Sequence, residues 1–302
     1  PDDRMQHLPR RQTALRHGRV TTAPYPTLRQ VLLLGFVAFP VAQFLIYPVV
    51  GETSPYVGLV AAELFLLWMA VLALRLRRWI PEDVLLLNAV PLRALWAALL
   101  AAAGAALLVS QFDLVWSAAL EAVSWDPPLY LQQLRVRIQL IDDLPSALIV
   151  TIAVVLVPAL CEETFFRGFV FTGLRYHHGP VTAVVGSALL FAAAHLNPWQ
   201  FPALFLLGLF HAALVHWTHS LYPAMVGHVV NNALSVTAVN LRVTTGWDVL
   251  GAAESLPLIV LIGAGAALSV GIRSLRRAPP IMPILSPYTR PAPADGPSAA
   301  WH

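Results

Sequence analysis

The sequence predicts an all-α polytopic transmembrane bundle with about eight spans and both termini in the cytoplasm. Of the 302 residues, 58% are hydrophobic and 12% are charged, and the mean hydropathy is +0.68. A soluble domain has roughly 25% charged residues. Apolar runs of about 20 residues recur along the chain, and each is long enough to cross a hydrocarbon core of about 30 Å. The arginines cluster beside these runs, which is typical of membrane proteins and argues against a nucleic-acid partner.

The predicted spans follow one another with polar connections between them. They cover 30–50, 56–75, 92–111, 146–172, 180–197, 201–218, 221–240 and 255–273. Basic residues flank the first, second and last spans, among them Arg29, Arg75 and Arg273. Basic residues accumulate on the cytoplasmic side, and an even number of spans returns the chain to that side. We therefore expect both termini to be cytoplasmic.

These patterns divide the chain into five parts. In order they are a basic cytoplasmic arm (1–28), accessory transmembrane helices with an acidic extracytoplasmic loop at 112–145 (29–145), a core rich in intramembrane polar residues (146–240), a final transmembrane helix (241–277) and a Pro-rich tail (278–302). The tail shows no apolar periodicity, so we expect it to be disordered. Within the acidic loop, residues 130–141 are expected to form a helix at the membrane interface.

Ionisable side chains inside the predicted spans are costly in a bilayer, so they are the first candidates for function. The densest group is Glu162, Glu163 and Arg167 in the fourth span. Glu163 and Arg167 are four residues apart and can form an ion pair on one face of the helix. Glu162 points about 100° away and has no local cation. Burial favours the neutral form of such a carboxyl group, which suits a general acid or base.

Further polar side chains lie on later spans. His195 ends the fifth span, and His228 and Asn232 lie four residues apart in the seventh, so both can face one cavity. The depth of each residue can be counted from the cytoplasmic end of its helix at about 1.5 Å per residue. By this count, these side chains and Glu162 can reach the same depth in the membrane. The spacing therefore predicts a shared intramembrane site. Two more residues are ambiguous: His211 suits a packing role or a place on this cavity, and Glu63 suits a bond across helices or a second functional site.

Three motifs contain these polar residues: EETFFR at 162–167, FAAAH at 191–195 and HVVNN at 228–232. They resemble the motifs of the CPBP family, the CAAX prenyl protease 2 and bacteriocin-processing group also called Abi. That family's pattern is Glu-Glu-x-x-x-Arg, Phe-x-x-x-His and His-x-x-x-Asn or Asp on successive membrane helices. The resemblance covers about 145–240. It implies an intramembrane endopeptidase that hydrolyses a peptide bond of a membrane-associated protein or peptide.

The resemblance also implies a role for each matching residue. The first glutamate would activate water together with the histidine of the second motif. The histidine and asparagine of the third motif would stabilise the oxyanion, and the second glutamate and the arginine would brace their helix or help to position the substrate. The catalytic residues so implied are Glu162, Glu163, Arg167, His195, His228 and Asn232.

A metal ion is an alternative within the same scheme. Glu162, His195 and His228 supply one carboxylate and two imidazoles, which is the ligand set of an open zinc site. Members of the family have been described both as metalloproteases and as glutamate-dependent enzymes that need no metal. The sequence is compatible with zinc and with no cofactor at all.

Two other classes of protein could contain such residues. A non-catalytic scaffold or immunity-type binding protein would keep the same fold, although every motif residue is present here. A proton-coupled transporter would use glutamate and histidine as a relay. Transporters commonly contain duplicated halves, whereas the ionisable residues of this chain cluster in one half. Both alternatives therefore rank below the protease.

The expected surroundings follow from the membrane setting. Membrane lipid and a membrane-anchored or lipidated protein or peptide are the expected partners, and nucleic acid is not. We expect a multi-pass protein of a bacterial cell membrane.

Overall fold

The computed structural model describes residues 25–248 and 255–277, and the regular structure within these ranges is entirely helical. The prediction of an all-α polytopic bundle is confirmed. The Pro-rich tail and all but the last four residues of the basic arm lie outside the described residues, so the expected disorder of the tail stays a prediction.

Within the described ranges the chain forms ten helices. They are α1 (Leu28–Gly51), α2 (Pro55–Arg77), α3 (Pro81–Val84), α4 (Leu92–Glu121), α5 (Leu129–Arg137), α6 (Leu144–His178), α7 (Pro180–Ala194), α8 (Phe201–Thr218), α9 (Tyr222–Thr245) and α10 (Leu258–Arg276). Each of the eight predicted spans corresponds to one of them.

Six of these helices are long and apolar enough to cross a membrane: α1, α2, α4, α6, α8 and α10. The other two predicted spans, α7 and α9, do not meet both criteria. α7 is apolar but has only 15 residues, and α9 has 24 residues but is less apolar because it contains His228, Asn232 and Asn240. Large apolar side chains are exposed on the outer helix faces, for example Phe36 and Ile259. Such faces suit hydrocarbon rather than water.

The predicted interfacial helix is shorter than expected. It begins at Leu129 and ends at Arg137, so the prediction of a helix up to residue 141 is wrong at its end. The chain turns inward after α5, and α9 holds the following residues. Asn240 Nδ2 donates to the carbonyl of Gln139 at 2.7 Å, and its Oδ1 accepts from the backbone of Ile141 at 2.8 Å. These two hydrogen bonds replace those of another helical turn.

Small residues bring α4 and α10 close together, as the AAAGAA run at 101–106 predicts. A Cβ added at Gly104 would collide with the backbone of α10 at Ala264. A Cβ added at Gly271 would lie 2.6 Å from the carbonyl oxygen of Ala97. This packing joins the C-terminal helix to the bundle.

α6 carries Glu162, Glu163 and Arg167, and its geometry is irregular on both sides of the two glutamates. A capping box at Asp143 and Ser146 begins the helix. π-helical turns occupy Thr151–Leu156 and Thr164–Val170, with one α-helical stretch between them. π-helical turns in α-helices frequently mark functional sites.

Candidate active site

Arg167 is fully buried and has a partner on each side of its guanidinium. Nη1 donates to Glu163 Oε1 at 3.0 Å, and Nη2 donates to the carbonyl of Gly208 on α8 at 3.2 Å. The guanidinium also lies over the ring of Phe191 on α7, 4.3 Å from its centroid. A buried charge needs such partners, because removing one ion from water costs roughly several kcal/mol. The ion pair expected from the helix spacing is present, and Arg167 fastens α6 to α7 and α8.

Gly208 makes this contact possible because it has no side chain. A Cβ at this position would lie 3.0 Å from the Cα and Cβ of Ala188 on α7. The two helices therefore approach closely, and the carbonyl of Gly208 comes within reach of Arg167.

Glu163 also binds histidines from two other helices. His228 Nδ1 on α9 donates to Glu163 Oε1 at 2.8 Å. His211 Nδ1 on α8 lies 3.4 Å from the same oxygen, and its ring stacks on that of His228 with centroids 5.2 Å apart. An ionised carboxylate only accepts hydrogen bonds, so Nδ1 of His228 bears the proton and Nε2 is directed elsewhere. Glu163 thus fixes the orientation of the His228 ring.

Glu162 lies on a different face of α6 and lines a cavity of about 280 Å³. Helix geometry predicts this separation from Glu163. The cavity lies between α1, α2, the loop before α6, α6 itself, the end of α7, and α9. Its polar lining consists of Gln43, Glu63, Gln139, Glu162, His195, His228, Asn232 and Ser235. The structure therefore places four of the six predicted site residues on one cavity and the other two directly behind it.

His195 faces Glu162 at a separation slightly longer than a hydrogen bond. His195 Nδ1 donates to the carbonyl of Phe191 at 2.8 Å, which leaves Nε2 towards the cavity. Nε2 lies 4.0 Å from Glu162 Oε1, and His228 Nε2 lies 3.8 Å from Glu162 Oε2. Both separations are too long for direct hydrogen bonds, but a water molecule could bridge either pair. Glu162 Oε2 has no hydrogen-bond partner among the described residues.

Asn232 is held against α6 by a carbonyl that a proline leaves free. Pro158 has no N–H, so it cannot donate to the carbonyl of Val154 four residues earlier. Asn232 Nδ2 donates to that carbonyl at 3.2 Å. The amide keeps a second N–H, and Asn232 lines the cavity beside His228. Pro158 and Asn232 thus position this side of the site together.

One set of residues has the geometry of a metal site but already holds a cation. Among the described residues, Glu163, His211 and His228 offer ligand atoms that all lie within 4.8 Å of one another. Arg167 is bonded to the same Glu163 oxygen as His228. Its positive charge would repel a metal ion at that point.

The zinc ligands expected from the sequence are a different set. Glu162, His195 and His228 have suitable donor atoms, and no arginine is bonded to Glu162 among the described residues. Their separations of 4.0 and 3.8 Å exceed the distance of about 3.3 Å between ligands of tetrahedral zinc. This set fits zinc in its donor chemistry, and its present spacing lies between that of zinc ligands and that of two groups bridged by a water molecule.

The sequence left the roles of two residues of this region open, His211 and Glu63. His211 is buried beneath the cavity, and Glu63 reaches the cavity from α2. The signal for His211 was a stripe of small residues, since Gly208, Ala212 and Val215 lie on the same helix face. That stripe predicts a buried face and places an imidazole on it.

A comparison with protein families gives one match. The family model described as type II CAAX prenyl endopeptidase, Rce1-like, matches residues 144–234. The range begins with α6 and contains all three motifs, so the resemblance seen in the sequence is confirmed. α1 to α5 and α10 lie outside it. No curated protein and no solved structure matches the chain.

Proposed function

Because residues 144–234 form an Rce1-like domain, we propose that this chain is an intramembrane endopeptidase. It would hydrolyse a peptide bond of a membrane-associated protein or peptide. The observation that most supports the proposal is the position of Glu162. Its carboxyl faces the Nε2 atoms of two histidines at 4.0 and 3.8 Å, in a cavity lined mainly by membrane helices.

In the proposed first step, Glu162 and His195 activate a water molecule. Glu162 Oε1 and the unprotonated Nε2 of His195 both accept hydrogen bonds from the water, which directs its oxygen lone pair away from them. Glu162 takes one proton as the water oxygen attacks the carbonyl carbon of the scissile bond. The carbonyl oxygen becomes an oxyanion. A base at this position is typically worth 10² to 10⁴-fold (roughly) in rate.

His228 and Asn232 would stabilise the oxyanion. Asn232 offers the N–H that is not bonded to Val154, and His228 offers Nε2–H. Since Nδ1 of His228 donates to Glu163, this role requires the imidazolium form, which would share the Glu163 carboxylate with Arg167. The carbon–nitrogen bond then breaks, and the proton on Glu162 passes to the leaving amine. The products are an amine and a carboxylic acid, and the acid then releases its remaining proton to solvent.

Zinc chemistry is the second candidate, favoured by the three donor groups around one cavity. Glu162, His195 and His228 would hold the ion, and zinc would polarise a bound water and the substrate carbonyl. The two schemes assign different duties to the same residues. Glu162 and His195 would be ligands in the zinc scheme, whereas they bind water directly in the scheme without metal.

The substrate and the surroundings belong to the same proposal. A membrane-anchored or lipidated segment could reach a cavity that opens among membrane helices, with membrane lipid around the bundle. The resemblance to bacteriocin-processing enzymes supports a bacterial cell membrane as the location. Termini on the cytoplasmic side are part of this proposal as well.

The test uses the full chain purified into lipid nanodiscs. The probes are a quenched fluorescent peptide ending in a prenylated CAAX sequence and an unlipidated transmembrane peptide. Cleavage by the wild type, with loss of at least about 100-fold in Glu162→Ala and His195→Ala, is the expected result. Retained cleavage in both variants would rule out the assignment. A parallel series with a chelator, followed by added zinc, separates the two schemes.

A further inference from the structure

Gln43 is a polar residue of α1 that lines the cavity from outside the matched domain. It is exposed, and the two residues that follow it, Phe44 and Leu45, are 70% and 57% exposed. On a helix long and apolar enough to cross a membrane, such side chains face lipid. Gln43 therefore lies at the rim of the cavity, where the cavity meets the lipid side of α1, and it belongs to none of the three motifs.

The packing of α1 holds Gln43 at this rim. Phe39, four residues earlier, stacks on Phe166 of α6 with ring centroids 5.4 Å apart. Ala42, directly before Gln43, is buried in an apolar cluster with residues of α2. Gln43 itself lies in the π-helical turn Ala42–Ile46, and such turns frequently mark functional sites. α1 is thus fixed against α6 and α2 at the level of the cavity.

The side-chain amide of Gln43 has no hydrogen-bond partner among the described residues, although every other amide and hydroxyl side chain of the cavity lining has one. Asn232 donates to the carbonyl of Val154. Ser235 donates to Gln139 at 3.1 Å, and the Nε2 of Gln139 donates to a backbone carbonyl of α5. An unpaired amide in an apolar setting costs roughly 2–7 kcal/mol. A glutamine at this place is therefore unfavourable unless a group that enters the cavity completes its hydrogen bonds.

We propose that Gln43 binds the main chain of the substrate where the substrate enters the cavity from the membrane. A helical segment bonds its carbonyl groups within the helix, so the segment beside the scissile bond must be extended before water at Glu162 can attack it. An extended segment has unpaired N–H and C=O groups, which lipid cannot bind. The Gln43 amide has both donors and an acceptor, so it pairs with one C=O and one N–H of that segment. The inference rests on the proposed function, since the bound peptide is the one that the site cleaves.

This role determines which kinetic constant depends on Gln43. The amide binds the main chain away from the reacting atoms, so it holds the substrate equally in the ground state and in the transition state. Loss of such an interaction raises KM and leaves kcat unchanged. Because a main chain is the same in every peptide, Gln43 contributes affinity without selecting a substrate side chain.

Gln43→Met tests the role because methionine keeps the approximate length of the side chain and removes both hydrogen-bonding groups. Gln43→Leu is a second variant, and both changes make α1 more apolar, which suits a membrane helix. The matched control is Gln133→Met, the same change at an exposed glutamine of α5 outside the cavity. With the two probe peptides in nanodiscs, we expect both Gln43 variants to raise KM by about 3- to 10-fold with kcat within about twofold, and the control to match the wild type.

Peptides with a single ester bond in place of one amide near the scissile bond separate main-chain binding from a change in packing. An ester lacks the N–H donor and its carbonyl is a weaker acceptor. We expect one ester position to raise KM by about 3- to 10-fold in the wild type and to have no effect in Gln43→Met. Unchanged KM in both Gln43 variants, or the same loss in the wild type and Gln43→Met at every ester position, would overturn the inference.

Binding of the same peptides to Glu162→Gln distinguishes this inference from the proposed function. The peptides are expected to stay intact in that variant, so their Kd can be titrated with and without Gln43→Met. If Glu162→Gln cleaves at the wild-type rate, the proposed function fails. If Glu162→Gln is inactive but Gln43→Met leaves its Kd unchanged, only the role of Gln43 fails. If neither peptide binds, both fail together.

Discussion

Glu162 and Glu163 are neighbours in the chain with opposite surroundings. Glu163 has no exposed surface, binds Arg167 and His228 and lies 3.4 Å from His211, whereas Glu162 faces a cavity. A turn of about 100° along the helix produces this difference. Two glutamates of the site therefore have different roles. Glu163 holds Arg167 and His228 in place, and Glu162 is the proposed base.

Arg167 gives the residue-scale prediction for stability. Arg167→Leu leaves the Glu163 charge buried without its main partner, so we expect a loss of about 3–5 kcal/mol in unfolding free energy. The exposed Arg242 on α9 provides the control, since Arg242→Leu should change stability by less than about 0.5 kcal/mol. Unfolding in detergent with a denaturant measures both. Equal stability of the two variants would contradict the anchoring role.

Residue spacing predicted much of the site but could not predict the contacts between side chains of different helices. The i, i+4 relations of Glu163 with Arg167 and of His228 with Asn232 follow from helix geometry alone. The stacking of His211 on His228 and the position of Glu63 on the cavity lined by Glu162 depend on how separate helices pack. No local pattern in the chain fixes the rotation of α2 and α8 against α6, so these two features emerged only from the structure.

At the scale of the element, α6 shows how a helix can expose a backbone carbonyl inside a membrane. Lipid cannot hydrogen-bond an unpaired carbonyl, so a proline in a span needs a substitute donor from another helix. Asn232 on α9 is that donor for the carbonyl left by Pro158. The π-helical turns on both sides of Glu162 belong to the same irregular stretch. The sequence shows the proline but does not show which side chain donates a hydrogen bond to the carbonyl.

Pro158→Ala tests this coupling between α6 and α9. The new N–H can donate to Val154, so Asn232 loses its acceptor while the helix becomes more regular. We expect stability to be unchanged or increased and the cleavage rate to fall by about 10- to 100-fold, because a donor of the oxyanion site moves.

Thermal unfolding and kcat are measured on the same Pro158→Ala preparation. A variant that keeps both its stability and its full kcat would show that the bond from Asn232 to Val154 has no part in the reaction.

The whole molecule extends well beyond the domain that matches a family. The matched range starts at α6, yet Gln43, Glu63 and Gln139 complete the cavity from α1, α2 and the loop before α6. Hydropathy predicted eight apolar helices, all of which are present, because lipid requires long apolar segments, but only six of them are long and apolar enough to span a membrane. Hydropathy could not show that α7 is short. A helix that packs against α6 and α8 can be shorter than a span that is surrounded by lipid. Nor could hydropathy show that α9 turns its polar side chains inward.

The orientation in the membrane can be tested through the single cysteine. Cys161 is buried, so an added cysteine can be labelled over a low background. A membrane-impermeant maleimide should label Arg78→Cys only from the cytoplasmic side and Glu52→Cys only from the opposite side. Intact cells and inside-out vesicles provide the two directions. The reverse pattern would contradict the assignment of both termini to the cytoplasm.

The most direct test of the account is the single-turnover cleavage rate of Glu162→Gln in nanodiscs under chelating conditions. The matched control is Glu121→Gln, the same change at an exposed glutamate that ends α4. The account predicts a wild-type rate for Glu121→Gln and a rate lower by at least about 100-fold for Glu162→Gln, with both variants folded. Cleavage by Glu162→Gln at the control rate would contradict the claim that Glu162 activates water.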